Sequence, residues 1–364
     1  MELSEVKFDC RHFRGTIPCK PNKLRGKICE CDEYTPISKR ILIIKLGAMG
    51  DVIRTTPLVV RYRQLFPDCH ISWITLTPQI LPPDEIDAIY KFDHLSVYSL
   101  LHEDFDIAIN LDKEIEACGL LRDVRAKEKI GFIEKNGHVD IANPEAKHKL
   151  ITGLFDQISI QNKKSYLEEI FEICKMKFNY EPYLINQNRD LVAKWESLRE
   201  KSGGKPIVGL NTGCGQRWLT RLWPQEYWIA LITRLQNEGM FPMVLGGPDE
   251  EPQNLIYAQR TGCYYPGTYS LPEFMAITAN CDLVVTAVSM MMHIAMGLQK
   301  PLVLFNNIFN KHEFEMYGRG EILEPHTGCE DFYGTRCTRE RHCMLDLPVD
   351  DVFNAIQRHL PVIK

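Results

Sequence analysis

The sequence predicts an α/β protein built as two successive parallel sheets wrapped by helices, and three observations carry that prediction. Short apolar runs rich in Ile, Leu and Val recur along the chain, each followed by a stretch with helical spacing. The alternation pauses at the polar stretch NQNRD (186 to 190) and then restarts. Several of the runs end in glycines that lead straight into a helical stretch, as strands do where they enter a crossover.

Residues 1 to 38, including CRHFRGTIPCKPNKLRGKICECDEYTP, have neither periodicity and are rich in Cys, Gly, Pro, Lys and Arg. From residue 40 the order reads strand RILIIKL (40 to 46), helix 51 to 65, strand HISWITL (70 to 76), strand FDIAINL (105 to 111) and a helical stretch over 148 to 178. The second half reads helix 190 to 201, strand PIVGLNT (206 to 212), helix 224 to 238, strand FPMVLGG (241 to 247) and helix 249 to 260. It closes with strand DLVVTAV (282 to 288), helix 289 to 298 and strand PLVLFN (301 to 306). The reading is a Cys-rich extension (1 to 38), a first Rossmann-like domain (39 to 186) and a second (187 to 346), with a cleft between the two domains and a closing segment (347 to 364).

Composition narrows the function. With 45% apolar and 25% charged residues over 364 positions, the chain is that of an ordinary globular enzyme. The net charge of -5 excludes a general nucleic-acid binder. Residues 1 to 40 nevertheless hold nine Lys/Arg against six Asp/Glu. MELSEVKFDC has no apolar h-region, and no apolar run approaches the ~18 residues of a spanning helix, so a cytoplasmic location is expected. Thirteen cysteines are then thiols or metal ligands rather than disulfides.

Four strand-to-helix junctions are the places to search for chemistry. In LGAMGD, Gly47 and Gly50 allow a sharp turn and Asp51 stands at a helix start, where it is either a cap or a carboxylate able to take a proton. G-x-x-G-D is not a dinucleotide fingerprint, which disfavours an NAD enzyme. In LNTGCGQRWLTRLWP (210 to 224), Gly213 and Gly215 offer backbone N–H groups, with Arg217 and Arg221 as charge partners. In LGGPDEE, Asp249 or Glu250 is placed to hold a ribose diol. In TAVSMMMHIAMGLQKP, the helix beginning at Ser289 and Met290 offers a pyrophosphate site, with His293 one turn in as a further donor or a core residue.

These junctions, in this order, resemble glycosyltransferase family 9, the heptosyltransferases of lipopolysaccharide assembly, over roughly residues 40 to 310. The most specific piece is ILIIKLGAMGDVIRTTPLV, joined by the W-P of TRLWP, by GGPDEE and by MHIAMGLQKP. The resemblance implies a GT-B fold with an N-terminal acceptor domain, a C-terminal nucleotide-sugar donor domain and a final helix (349 to 360) packed back on the first. It implies an inverting, metal-independent transfer of heptose from ADP-heptose to a lipopolysaccharide-core or other glycan acceptor, at the inner face of the membrane, with Asp51 as general base. Thr212, Gly213, Arg217, Arg221, Asp249, Ser289, Met290 and His293 would hold the donor, and Gly47, Met49 and Arg54 the acceptor; Arg61 and Arg63 either meet a phosphorylated glycolipid or lie on a solvated helix face. The family's D-T-G, whose aspartate contacts sugar hydroxyls, is replaced here by Val288, Ser289 and Met290. A different nucleotide sugar, a protein acceptor, or a non-catalytic nucleotide-binding assembly protein are the alternatives.

Seven cysteines crowd the two ends. Cys10, Cys19, Cys29 and Cys31 are spaced C-x8-C-x9-C-x-C, and Cys329, Cys337 and Cys343 are spaced C-x7-C-x5-C with His326 and His342 nearby. The first group is expected to hold a structural zinc, with iron or an iron–sulfur centre as the competitor; the second is a further metal candidate. Some heptosyltransferases that modify autotransporter proteins carry cysteine-bound iron near the C-terminal end, though with different spacing. A metal-dependent redox protein is the third functional class the ends leave open.

Overall fold

A computed structural model describes residues 1–215 and 217–361 of the chain. It divides into two compact units: the first comprises 1–48, 55–150 and 170–182, the second 49–54, 151–169 and 183–364. The helix Met49–Ile53, which carries Asp51, is therefore counted with the second unit although its neighbours in sequence belong to the first.

The first unit contains β1 (Arg40–Ile44), β2 (His70–Thr75), β3 (Ala88–Lys91), β4 (Asp104–Asn110), β5 (Arg125–Lys135) and β6 (His138–Ile141) in the order β3-β2-β1-β4-β5-β6. All neighbours are parallel except β5 and β6, which form a hairpin. Ile41 to Ile44 of β1 are fully buried, as a central strand covered on both faces requires. The second unit contains β7 (Ile207–Asn211), β8 (Phe241–Leu245), β9 (Leu283–Ala287), β10 (Leu302–Phe305) and β11 (Gly320–Leu323), all parallel, in the order β11-β10-β9-β7-β8. Chain order reverses at β1/β4 in one sheet and at β7/β9 in the other, and the carboxyl ends there are the topological switch points of a doubly wound fold.

The expected strands all form, within two residues of the expected ends. The expected helices are more broken. The stretch 51 to 65 is two helices, Met49–Ile53 and Pro57–Leu65, because Pro57 cannot donate to the preceding turn. The stretch 148 to 178 is three short helices, Lys147–Leu154, Asp156–Ser159 and Tyr166–Ile173. The final helix, Val349–His359, is part of the second unit, where Val352, Phe353, Ala355 and Ile356 join the core with Trp228, Leu231 and Phe305. Within that unit it packs against the helix Gln225–Asn237 and against β10 and β11. Residues 362–364 of that expected segment lie outside the described residues. No helix among the described residues is long and apolar enough to cross a membrane.

Candidate functional site

At the end of β1 the chain is fixed by a buried ion pair. Lys45 and Asp112 are 4% and 3% exposed, and their side chains are paired. Lys45 Nζ also donates to the Gly47 carbonyl at 2.9 Å, while the Asp112 carboxylate accepts from the amides of Leu46 and Gly47. Burial pushes the Asp112 carboxyl above its ordinary value, and the ammonium and the Leu46 amide pull it back. The root of the LGAMGD loop is thereby pinned by four polar contacts.

Neither Gly47 nor Gly50 has a positive φ, so the sharp-turn reading of these glycines is not the reason for them. Gly50 is required by packing within the second unit. A Cβ there would lie 2.4 Å from Cδ2 of His293, on the helix Met290–Gly297. A Cβ on Gly47 would meet only Leu76 Cδ1, at 4.0 Å.

Asp51 falls inside the first turn of Met49–Ile53 rather than ahead of it, which removes the simple cap reading. Its Oδ1 is 2.8 Å from Arg54 Nη2. The Arg54 guanidinium lies 3.6 Å from the Tyr166 ring centroid, with Nη1 3.8 Å from Glu313 Oε2. Burial opposes the charge on Arg54, but Asp51, Tyr166 and Glu313 more than offset it and hold the pKa above the ordinary arginine value. Asp51 thus has a permanent cation beside it while its side chain stays one-third exposed. Met49 is half-buried next to it.

His293 is 6% exposed, its Nδ1 has no hydrogen-bond partner, and its ring stacks at 6.2 Å on that of Tyr183. Burial first, then the nearby Arg54 charge, push its pKa down to about 3, so it is neutral at physiological pH. The helix it sits on is preceded by Ser289, whose Oγ is 3.1 Å from Thr286 Oγ1; Ser289 and Met290 are half-buried.

The end of β7 is arranged differently. Thr212 Oγ1 donates to Asn254 Oδ1 at 2.7 Å, and Asn211 Nδ2 donates to the Gly213 carbonyl at 2.9 Å. The Glu250 carboxylate accepts from the Gly247 amide at 2.9 Å and lies so close to Gly213 that a Cβ there would be 2.1 Å from Oε1. Beside these groups is a cavity of about 570 Å³, lined by Thr212, Gly213, Asp249, Glu250, Tyr257 and His342 among others. It opens at the carboxyl ends of β7 and β8, beside the switch point.

The structure therefore divides the donor residues read from the sequence. Thr212, Gly213 and Asp249 share the cavity, whereas Arg217, Arg221, Ser289, Met290 and His293 do not line it. Arg221 is 7% exposed, and its guanidinium donates to the carbonyls of Cys214, Val288 and Trp218. It clamps the chain after β7 to the chain after β9. Arg217 is exposed and its guanidinium stacks on Trp218 at 4.4 Å. In the first unit, Arg61 is paired with the buried Glu181 and Arg63 with Asp87, so both serve the fold. Glu250, read from the sequence as a ribose candidate, is wedged against Gly213, and His342, read as a neighbour of the C-terminal cysteines, is on the cavity wall; Tyr257 was not singled out by sequence. The i, i+3 to i+7 spacing of Glu250, Gln253 and Tyr257 on one helix face was the available signal.

The terminal cysteines are all free thiols. Cys343 is 1% exposed, accepts from Asn307 Nδ2 at 3.6 Å, and packs with Cys329 and Cys337 against the second unit's core. Its hydrogen bond with the Cys329 thiol draws its pKa down to about 5. Among the described residues, no group of three or more His, Cys, Asp or Glu side chains stands in the geometry of a bound metal ion.

Comparison with known proteins agrees with this architecture. Residues 96–316 match the model of glycosyltransferase family 9 (heptosyltransferase). The lipooligosaccharide heptosyltransferase 2 of Haemophilus influenzae is 23% identical over 287 residues, covering 72% of this chain and 82% of that protein. A solved glycosyltransferase family 9 protein from Veillonella parvula superposes with a TM-score of 0.66 at 16% identity, covering 89% of this chain and 97% of that one. The Escherichia coli ADP-heptose LPS heptosyltransferase II superposes with a TM-score of 0.62 at 14% identity, covering 88% and 98%. The two sheets, parallel but for the β5–β6 hairpin, are those of the GT-B fold, and the chain is a glycosyltransferase that belongs to glycosyltransferase family 9.

Proposed function

We propose that this enzyme transfers heptose from ADP-heptose to a hydroxyl of a lipopolysaccharide-core acceptor, with inversion at the anomeric carbon. The observation that carries the reading is Asp51, one-third exposed at the mouth of the first switch-point loop and held 2.8 Å from a buried Arg54. Of the relatives named above, one is a lipooligosaccharide heptosyltransferase and another an ADP-heptose LPS heptosyltransferase.

In this mechanism the Asp51 carboxylate accepts the proton of the acceptor hydroxyl as that oxygen bonds to the anomeric carbon. The bond from that carbon to the diphosphate oxygen breaks at the same time, and ADP leaves. Arg54 sets its charge 2.8 Å from the Asp51 carboxylate, and Tyr166 and Glu313 hold Arg54 in place. The amides at 289 to 291 and the exposed Arg217 face the growing charge on the diphosphate. Arg221 shapes that cradle through its carbonyl contacts. The nucleoside end occupies the cavity beside Thr212, Asp249 and Glu250, with a carboxylate there taking the ribose diol.

Val288 favours a second reading, in which the sugar or nucleotide differs from ADP-heptose. A valine takes the place of the family's sugar-contacting aspartate, and it makes no hydrogen bond to a sugar. Calorimetric titration with ADP, GDP, UDP and CDP at one salt concentration separates the two. Selective ADP binding, followed by ADP release from ADP-heptose only when a deacylated core acceptor is present, supports the first. Preference for another nucleotide replaces it with the second, and no binding at all favours an assembly protein without transfer activity.

A further inference from the structure

Residues 1–38 are held by little that a hydrophobic core could supply. They contain one turn of 3-10 helix at Leu3–Glu5, the six-residue helix Lys20–Arg25 and an isolated bridge between Cys10 and Pro36. Pro21 is the one buried residue of the segment, while Leu3, Phe8, Ile17, Leu24 and Ile28 are each more than half exposed. So short a stretch cannot bury enough apolar surface to fix its own loops, and below ~40 residues disulfides or a metal are the usual substitute. Arg11 and Arg14 dock it on the first unit, donating to the Asp87 carboxylate at 2.6 Å and the Asp87 carbonyl at 3.0 Å. The other loops are tied to one another by exposed polar contacts of small net worth, Tyr34 Oη donating to Asp9 Oδ2 at 2.7 Å and Lys27 pairing with Asp32 at 2.9 Å.

What the loops share is sulfur. Cys10, Cys19, Cys29 and Cys31 all line one hollow of about 50 Å³, with His12 and Tyr34 also on its wall. All four are free and half-buried. Cys29 Sγ accepts the backbone N–H of Lys7 at 3.5 Å. The excess of nine Lys/Arg over six Asp/Glu in residues 1 to 40 offsets the negative charge that four thiolates keep after binding a divalent ion. The thiols surround this hollow without converging on its centre.

We propose that Cys10, Cys19, Cys29 and Cys31 are the ligands of one structural zinc ion that closes the N-terminal loops. Each thiol loses its proton on binding, and zinc undergoes no redox change. Four thiolates select a thiophilic ion, and zinc accepts four of them in a closed structural site.

The test is the metal content of the full chain purified without chelator, for the wild type, the double variant Cys29→Ser/Cys31→Ser and the triple variant Cys329→Ser/Cys337→Ser/Cys343→Ser. The expected result is about one zinc per chain in the wild type, lost in the double variant and kept in the triple. Wild-type protein without metal, unchanged zinc in the double variant, or iron with a visible chromophore in place of zinc overturns the proposal. Should the double variant fail to fold, trypsin treatment of the wild type decides. Chelation is expected to open the Lys- and Arg-rich segment to cleavage and zinc to close it again; cleavage unchanged by either overturns the proposal.

Discussion

The two switch-point loops share a sequence style, a strand ending in glycines before a helix, yet they are put together in opposite ways. After β1 the space is filled: a buried Lys45–Asp112 pair grips the loop's root, and the His293 ring occupies the room that a side chain at 50 would need. After β7 the neighbouring Glu250 is the flexible end of a side chain, and beyond it lies the cavity of about 570 Å³. Filled surroundings suit a group that must not move, such as a carboxylate aimed at one proton. A hollow suits a ligand that arrives and leaves.

Four experiments sharpen or break that contrast, in falling order of expected effect. Asp112→Asn strips the partner from a lysine that is 4% exposed, and we expect a loss of about 3 to 5 kcal/mol in urea unfolding. A loss under 1 kcal/mol would mean that water reaches Lys45 and the loop root is soft. Asp51→Asn is expected to slow transfer about a hundredfold or more while nucleotide affinity by calorimetry stays within twofold. Equal loss of both would make Asp51 a structural residue.

Gly50→Ala drives a methyl into a flat, buried ring and is expected to cost about 1 to 3 kcal/mol. Gly213→Ala would meet Oε1, Cδ and Cγ of the half-buried Glu250, a side chain that can swing into the cavity, so we expect less than about 1 kcal/mol from it, together with weaker nucleotide binding because the methyl reaches the cavity wall. If the two alanines cost the same stability, the distinction between filled and hollow fails. The last test uses pH. His293 is pushed down to about 3 in the fold, against an ordinary 6.5 in the unfolded chain. Below pH 6.5 only the unfolded chain takes up this proton, so stability present above 6.5 is lost as pH falls toward 3. Between pH 6.5 and 5 the loss is about 2 kcal/mol. Denaturation midpoints of the wild type and His293→Asn should converge over that range; parallel curves would place water around the imidazole.

How much of this was legible in the sequence depended on how local each cause was. β1, β7 and β9 announced themselves because a strand buried on both faces is a continuous apolar run. β5, RAKEKIGFIEK, and its hairpin partner β6 did not, since at a sheet edge half the side chains are charged and the pattern blurs. Pro57 was visible as a break but was read through as one helix. Asp51 and the cavity's Thr212, Gly213 and Asp249 were found from their junctions. The true reason for Gly50 lies on a helix far along the chain, and a single sequence shows no such pairing. The carbonyl partners of Arg221 were equally hidden, because backbone acceptors leave no mark on residue type.

Those Arg221 contacts have an effect on the thermodynamics of binding. By joining the Cys214 and Val288 carbonyls, the guanidinium ties together the chain ends on either side of the second switch point before any ligand arrives. The conformational entropy of ordering that rim is spent during folding, so under the proposed function an incoming nucleoside diphosphate would meet a surface already in shape. Loosening the clamp would leave the same groups facing the ligand and still weaken its hold, through disorder in the free enzyme alone.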